Sequence, residues 1–507
     1  EEKRKTFNDY DSYQKYFYKI GTILDQNKRK DLIKKNIEKI QKKKNLKIQE
    51  NEKLLEEVTN LIDHPYILEC SFDKRFLSIP EEILILTMQS HQKYFPLFTK
   101  KDEITNEFIV IANKKDDKGV IKIGNERVVE ARLNDAEFFW NKDKSQNLVK
   151  KVSGLKSMNF FKGLGNYFDK VQRMRKLGAV ISDDLLISKE KVELSATICK
   201  TDLISEIVGE FPELQGIMGG HLSHVQGFDK EIVDAVKEQY LPIGLDSAVP
   251  KKPFSITLSL ADKIDTLTGF YGINEKPSSS KDPYALRRTA LGIIRIIIEN
   301  KKNIKVHDLF EYSKNTYLDQ GFKFSNDALI KDIIIFLKDR FKYYLKEKNI
   351  RYDIIEAATK SLDLNQISIT YEKAKSLDKV IHKSIGIDII SSYKRAFNIL
   401  NSETKNENES FSDTTDPGIF KDESEKALFK KINQIKQYFL EPTNKQNFDE
   451  TLVFLATAKK EIFDFFDNVK VNDENEIVKK NRLELLNFFC KTFENFIDFQ
   501  LIKDTNE

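Results

Sequence analysis

From Asn147 onward almost every stretch of this chain spaces its apolar residues three and four positions apart rather than in alternation, so most of it must pack as helices. At 507 residues the chain exceeds one ordinary core, and roughly three to four domains are expected. The break at Gly163-Leu164-Gly165-Asn166 reads as a helix-to-helix turn, followed by a helix from Asp169 to Leu186. The best helix start is Asp282-Pro283, because Asp accepts from the free amides of a first turn and Pro at the first helical position forfeits no bond. Leu286, Ala290, Ile293, Ile294 and Ile297 then form an apolar stripe, with Arg287, Arg288 and Arg295 at its edges. Long helical patterns continue from Ile330 to Lys348 and from Ile367 to Leu400.

The first 150 residues read differently. Leu32, Ile33, Ile37, Ile40, Leu54, Leu55, Val58 and Leu61 predict an amphipathic helix or a helix pair. Tyr66 to Cys70 and Phe108 to Ala112 are short β-like runs, and Pro80 to Met88 reads as a Pro-started helix with acidic residues in its first turn. The expected organisation is N-terminal helices plus a mixed α/β region over 1–150, a helical domain over 151–305, a helical connecting body over 306–400, a polar linker over 401–416 and a helical bundle over 417–507. The fold class is multidomain and predominantly α.

Composition removes several possibilities. Lys and Arg total 84 against 80 Asp and Glu, a net charge of +4, so any nucleic-acid surface is local. The abundance of Lys, Ile, Asn and Phe is what an AT-rich genome produces, which argues against reading every Lys as functional. Cys70, Cys199 and Cys490 are far apart and make neither a disulfide framework nor a zinc ribbon, so a reducing cytoplasm is the expected compartment. Apolar runs such as Ile333 to Leu337 fall far short of the ~20 residues that span a bilayer. The start, Glu1-Glu2-Lys3-Arg4-Lys5, has no initiator Met and no apolar signal core and reads as a cut or processed end.

Catalytic signatures are missing. Gly163-Leu164-Gly165 lacks the third glycine of a dinucleotide turn, and no phosphate-binding loop, nucleophile elbow or H-E-x-x-H occurs. His221 and His224 with Asp262 and Asp265 are the one metal-like set, but the only His-Asp pair, His307-Asp308, is out of place for a metal-dependent phosphohydrolase of the HD type, and no metal site is assigned. Basic residues cluster with aromatics or Asn at Tyr393-Lys394-Arg395, Arg287-Arg288 and Lys479-Lys480-Asn481-Arg482, placements that fit phosphate contact.

The runs Lys200 to Gly216 (KTDLISEIVGEFPELQG) and Lys281 to Arg288 (KDPYALRR) resemble the beta subunit of bacterial glycyl-tRNA synthetase. So do Met88 to Pro96, Gly124 to Val129, Ala131 to Phe139, Ala261 to Leu267, Phe465 to Val469 and Asn481 to Leu483, in the family's order. The resemblance implies a tRNA-handling subunit that works with an alpha subunit in a two-plus-two heterotetramer. The alpha subunit would hold ATP, Mg and the catalytic core, and this chain no catalytic residue and no cofactor of its own. It further implies an HD-like domain over 151–305, without the catalytic His-Asp, and an anticodon-binding bundle at the end of the chain. The family carries an additional domain ahead of the point where Glu1 begins. Arg482, Lys480 and Asn481 are the first tRNA-binding candidates, with Lys479, Lys394, Arg395, Arg287 and Arg288 behind them; for Asn481 and Arg482 a brace within the bundle, with Arg482 paired to Asp467 or Asp473, stands as the alternative. The competing functions are a metal-dependent HD-type phosphohydrolase and an RNA-binding scaffold with no synthetase partner.

Overall fold

The computed structural model describes residues 5–407, 411–412, 414–441 and 447–503, and the chain is mainly helical with one small sheet and a hairpin. It divides into two compact units, Glu1–Met158 with Thr197–Lys237, and Asn159–Ala196 with Glu238–Glu507.

In the first unit the expected helix pair forms as Gln26–Lys44 and Glu52–Leu61, capped by the side chains of Asp25 and Asn51. A four-stranded antiparallel sheet lies beneath it: β1 (Lys47–Ile48), β2 (Tyr66–Ser71), β3 (Phe95–Phe98) and β4 (Ile104–Ala112), in the order β1-β3-β4-β2. Side chains alternate along β4, so Ile109 and Ile111 join Ile33, Ile37, Leu54 and Val58 in one core, while Phe108 on the other face stacks with Phe72 and Tyr94. With both faces covered, β4 ends as an unbroken apolar run. Each such buried side chain contributes roughly 1.5–3 kcal/mol relative to exposure. Strand β3 contains Pro96 and gave no strand signal; the proline sits where the register with β4 shifts, a position at which a missing amide is tolerated. Pro80 precedes the helix Glu81–Leu86, which passes into a π-helical turn at Thr87–His91. The 25-residue helix Val120–Lys144 completes the sheet's cover.

The second unit is built around Pro253–Gly272, a helix buried on nearly its whole circumference by Tyr167–Leu185, Leu286–Glu299, Val306–Asp319 and Leu329–Glu347. A Cβ on Gly272 would collide with the ring of Phe324, which explains the glycine there. Asp265 of this helix is fully buried. Its carboxylate receives Arg173 Nε at 2.6 Å and Lys170 Nζ at 3.0 Å, and Tyr317 Oη donates to it at 3.3 Å. The Arg173 guanidinium also lies 3.7 Å from the Tyr317 ring centre, so the buried charges are paired and stacked rather than stranded.

Several expectations are corrected. Gly163 and Gly165, both at positive φ, belong to a hairpin of β5 (Asn159–Phe161) and β6 (Gly165–Asn166) instead of a plain interhelical turn. The helix expected from Pro283 begins at Leu286; Asp282 still accepts from the amides of Leu286 and Arg287, but Ala285 at φ 54° breaks the backbone between them. The pattern from Ile367 to Leu400 is two helices, Ile367–Val380 and Ser384–Glu407. The second runs seven residues into the expected linker, of which 408–410 and 413 lie outside the described residues. It packs on the helices Phe448–Ala456, Lys459–Asn468 and Glu476–Glu494, so the bundle begins before the polar segment. All three cysteines are buried and none forms a disulfide, and among the described residues no helix is long and apolar enough to cross a membrane.

Candidate nucleic-acid interface

The C-terminal bundle comprises Ser384–Glu407, Glu423–Leu440, Phe448–Ala456, Lys459–Asn468 and Glu476–Glu494. Asn475 caps the last of these, which carries four of the eight candidate residues. Arg482 is 6% exposed. Its Nε donates to Glu425 Oε1 at 2.7 Å, and its Nη1 to Lys470 O and Asp473 Oδ2, both at 2.9 Å. Glu425 is itself the third residue of a capping box, accepting from the amides of Lys421 and Asp422 with its other oxygen. Arg482 therefore braces the start of one helix against the body of another, and its guanidinium is not presented at the surface. The brace partners are Glu425 and Asp473; Asp467 instead pairs with Arg395. An amide bond from Asn475 and the nearby cations hold the Asp473 carboxyl below the usual carboxylate range.

Asn481 is likewise internal. Its side-chain oxygen accepts from Thr415 Oγ1 and from the amide of Asp416, and its nitrogen donates to Asp416 O, tying the polar segment to the bundle. Lys479 pairs with Glu403 at 3.2 Å, joining the first and last helices. Arg395 sits between the rings of Phe463 and Phe466, 4.9 and 4.7 Å from their centres, with Asp467 at 3.5 Å. Lys394 is half-buried, and the neighbouring Tyr393 is buried and donates to Glu494 at 2.8 Å. In the helix Leu286–Glu299, Arg287 donates to the carbonyl of Ser278. Lys480 and Arg288 are the candidates whose side chains stand exposed. Sequence reasoning missed the carboxylates that claim Lys479 and Arg482, Glu403 and Glu425, because each lies on another helix, more than fifty residues from its partner, with no local pattern to mark it.

The metal-like set is not assembled. His221 and His224 lie on the helix Ile217–Val225 of the first unit, where His221 Nε2 is 2.8 Å from Glu82; Asp262 and Asp265 belong to the second unit, paired with Lys170 and Arg173. Among the described residues no group of three or more His, Cys, Asp or Glu is placed to hold a metal ion.

The model of the DALR anticodon binding domain matches residues 389–503, which places the bundle in the class of modules that synthetases use on the anticodon of tRNA. Residues 1–360 match the model of the family described as glycyl-tRNA synthetase beta subunit. The glycine–tRNA ligase beta subunit of Rickettsia felis is 35% identical over 98% of this chain and 72% of its own length. That of Rhodospirillum centenum is 32% identical over 98% and 70%, and that of Thermodesulfovibrio yellowstonii 35% over 96% and 70%. The chain belongs to the glycyl-tRNA synthetase beta-subunit family, and is thus a component of an aminoacyl-tRNA ligase of translation. Neither the phosphohydrolase nor the scaffold alternative is favoured.

Proposed function

We propose that this chain binds and positions tRNA(Gly) so that a separate alpha subunit, holding ATP and Mg, can glycylate it. The two chains would form a two-plus-two heterotetramer in the cytoplasm. The observation that carries this reading is the coincidence of the anticodon-binding match at 389–503 with a bundle of five packed helices, in which the pairs Lys479–Glu403 and Arg482–Glu425 tie the last helix to Ser384–Glu407 and Glu423–Leu440. A rigid helical body suits the task, because an anticodon loop is recognised by shape and by its unstacked bases, on a surface that must keep its geometry while the acceptor end is charged. Phosphates are met by exposed cations such as Lys480 and Arg288, while the internal Arg482 holds the surface in place.

The test is aminoacylation of tRNA(Gly) with glycine and ATP at a stated salt concentration, using this chain, a matching alpha subunit, or both. Charging is expected only with both chains present. Glycyl-adenylate made by this chain alone would sink the proposed division of labour.

A further inference from the structure

A cleft of about 810 Å3 opens within the second unit between the helix Ile367–Val380 and the bundle helices Glu423–Leu440 and Phe448–Ala456. One wall is aromatic, from Phe439, Phe448 and Phe496, with Leu440 standing 68% exposed beside it. Three cations reach the lining, Lys305, Lys373 and Lys436, against two carboxylates, Asp308 and Asp363. Asn365 is engaged at both ends: its oxygen accepts from the amide of His307 and its nitrogen donates to Asp308. Gln366 spends its nitrogen on Asp363 at 3.2 Å, which leaves its carbonyl oxygen as an acceptor.

Lys373 is the unusual member. Its ammonium donates to Asn495 O at 2.9 Å and lies 5.7 Å from the centre of the Phe496 ring, and no ion pair to a carboxylate forms among the described residues. It also lines an adjoining cavity of about 320 Å3, so it stands at the wall the two spaces share. Burial holds its pKa below the ordinary lysine value. A half-buried cation that is met by a backbone carbonyl and by no ion pair is a position that an incoming anion stabilises.

Resting on the tRNA-binding reading above, we propose that this cleft receives one unstacked nucleotide of the bound tRNA. The base lies against the half-buried Phe439 and Phe448, an exocyclic amine of its edge donates to the Gln366 oxygen, and its phosphate meets Lys373 and Lys436. The cleft volume is in the range of small-ligand pockets, and rings beside cations are the combination that single-stranded nucleic acid requires. An excess of cations in the lining favours this occupant over an acidic-poor peptide, which would need only the apolar wall.

The experiment measures binding of tRNA(Gly) transcripts to the full chain by fluorescence anisotropy across a salt series, with one loop nucleotide at a time made abasic. In the wild-type chain one abasic position is expected to weaken binding about tenfold, the scale of a lost base–aromatic stack. In Lys373→Met the intact tRNA binds more weakly with a shallower salt slope, and that same abasic position costs nothing further. Lys436→Glu, at an exposed position that does not threaten the fold, is expected to repeat the loss of affinity. A wild-type chain that binds no tRNA(Gly) overturns the tRNA-binding reading and this site with it. Normal binding by wild type, with both variants matching it or with every abasic cost unchanged in Lys373→Met, overturns the cleft alone. Displacement of tRNA by a peptide but by no base-stacking oligonucleotide assigns the cleft to a protein partner and also refutes the proposal.

Discussion

Asp202 shows how a single residue is set by its surroundings. Its side chain is fully buried, and Oδ2 accepts from the amides of Gly216 and Gly219 at the start of the helix Ile217–Val225, while Oδ1 has no hydrogen-bond partner among the described residues. The amides favour the carboxylate, as does the positive end of a helix. Burial is the larger effect and pushes the pKa up to about 6. An acid whose folded pKa is raised adds stability that is full below its unfolded value of about 3.9 and is lost as pH rises through the folded one. Glu82 behaves oppositely: burial works against its charge, but His221 and Lys237 hold it at about 2, so its contribution is present above the unfolded value and lost only in strong acid. Between about pH 5 and pH 7 Glu82 is therefore constant and Asp202 is not. Urea unfolding of the full chain should show Asp202 lowering stability by about 1 kcal/mol across that window. In Asp202→Asn this part of the pH dependence is expected to vanish, and an identical pH dependence in the variant would show that Asp202 is ionised throughout.

At the scale of elements, the bundle is set by ties between helices more than by any helix alone. Arg482→Met leaves Glu425 buried with only its capping amides, and removal of one partner from a buried pair costs about 3–5 kcal/mol. The double variant Arg482→Met with Glu425→Gln is expected to lose less than the sum of the two single changes, measured as thermal unfolding in a double-mutant cycle. Strict additivity would mean that the two side chains do not brace each other in solution. The same region marks the limit of what the sequence discloses. Its helices were legible because Ile, Leu and Phe recur at helical spacing, and the start near Asp282 was legible because a capping carboxylate is local chemistry. Where that helix begins was not, since Ala285 adopts a positive φ that nothing in its side chain announces. Residues 401–407 read as linker because they are polar, yet they extend a helix whose apolar face is already anchored upstream. A strand containing Pro96 was invisible for the converse reason: local propensity opposed what the β4 pairing imposes.

For the whole molecule, a net charge of +4 over 507 residues means that tRNA affinity must come from a few exposed cations rather than from a general field. The sequence groups Lys479, Lys480, Asn481 and Arg482 into one basic cluster, but on the helix they point in different directions. Three are drawn into internal ties and Lys480 alone stands exposed. Conversely, Lys305, Lys373 and Lys436 share a cleft although more than sixty residues separate each from the next, a grouping only tertiary structure creates. Exchanging the exposed charge and the braced charge separates the two roles. Lys480→Glu is expected to weaken tRNA(Gly) binding and to lower the slope of log K against log salt by about 1, the signature of one lost phosphate contact. Its unfolding temperature should match wild type, because the position is exposed and breaks no tie. Arg482→Met should move in the reverse order, with a lower unfolding temperature and an unchanged salt slope below it. If instead Lys480→Glu leaves both affinity and slope untouched, the phosphate track does not cross the N-terminal part of the last helix, and the exposed Arg288 and the Lys373 cleft become the points from which that track must be drawn.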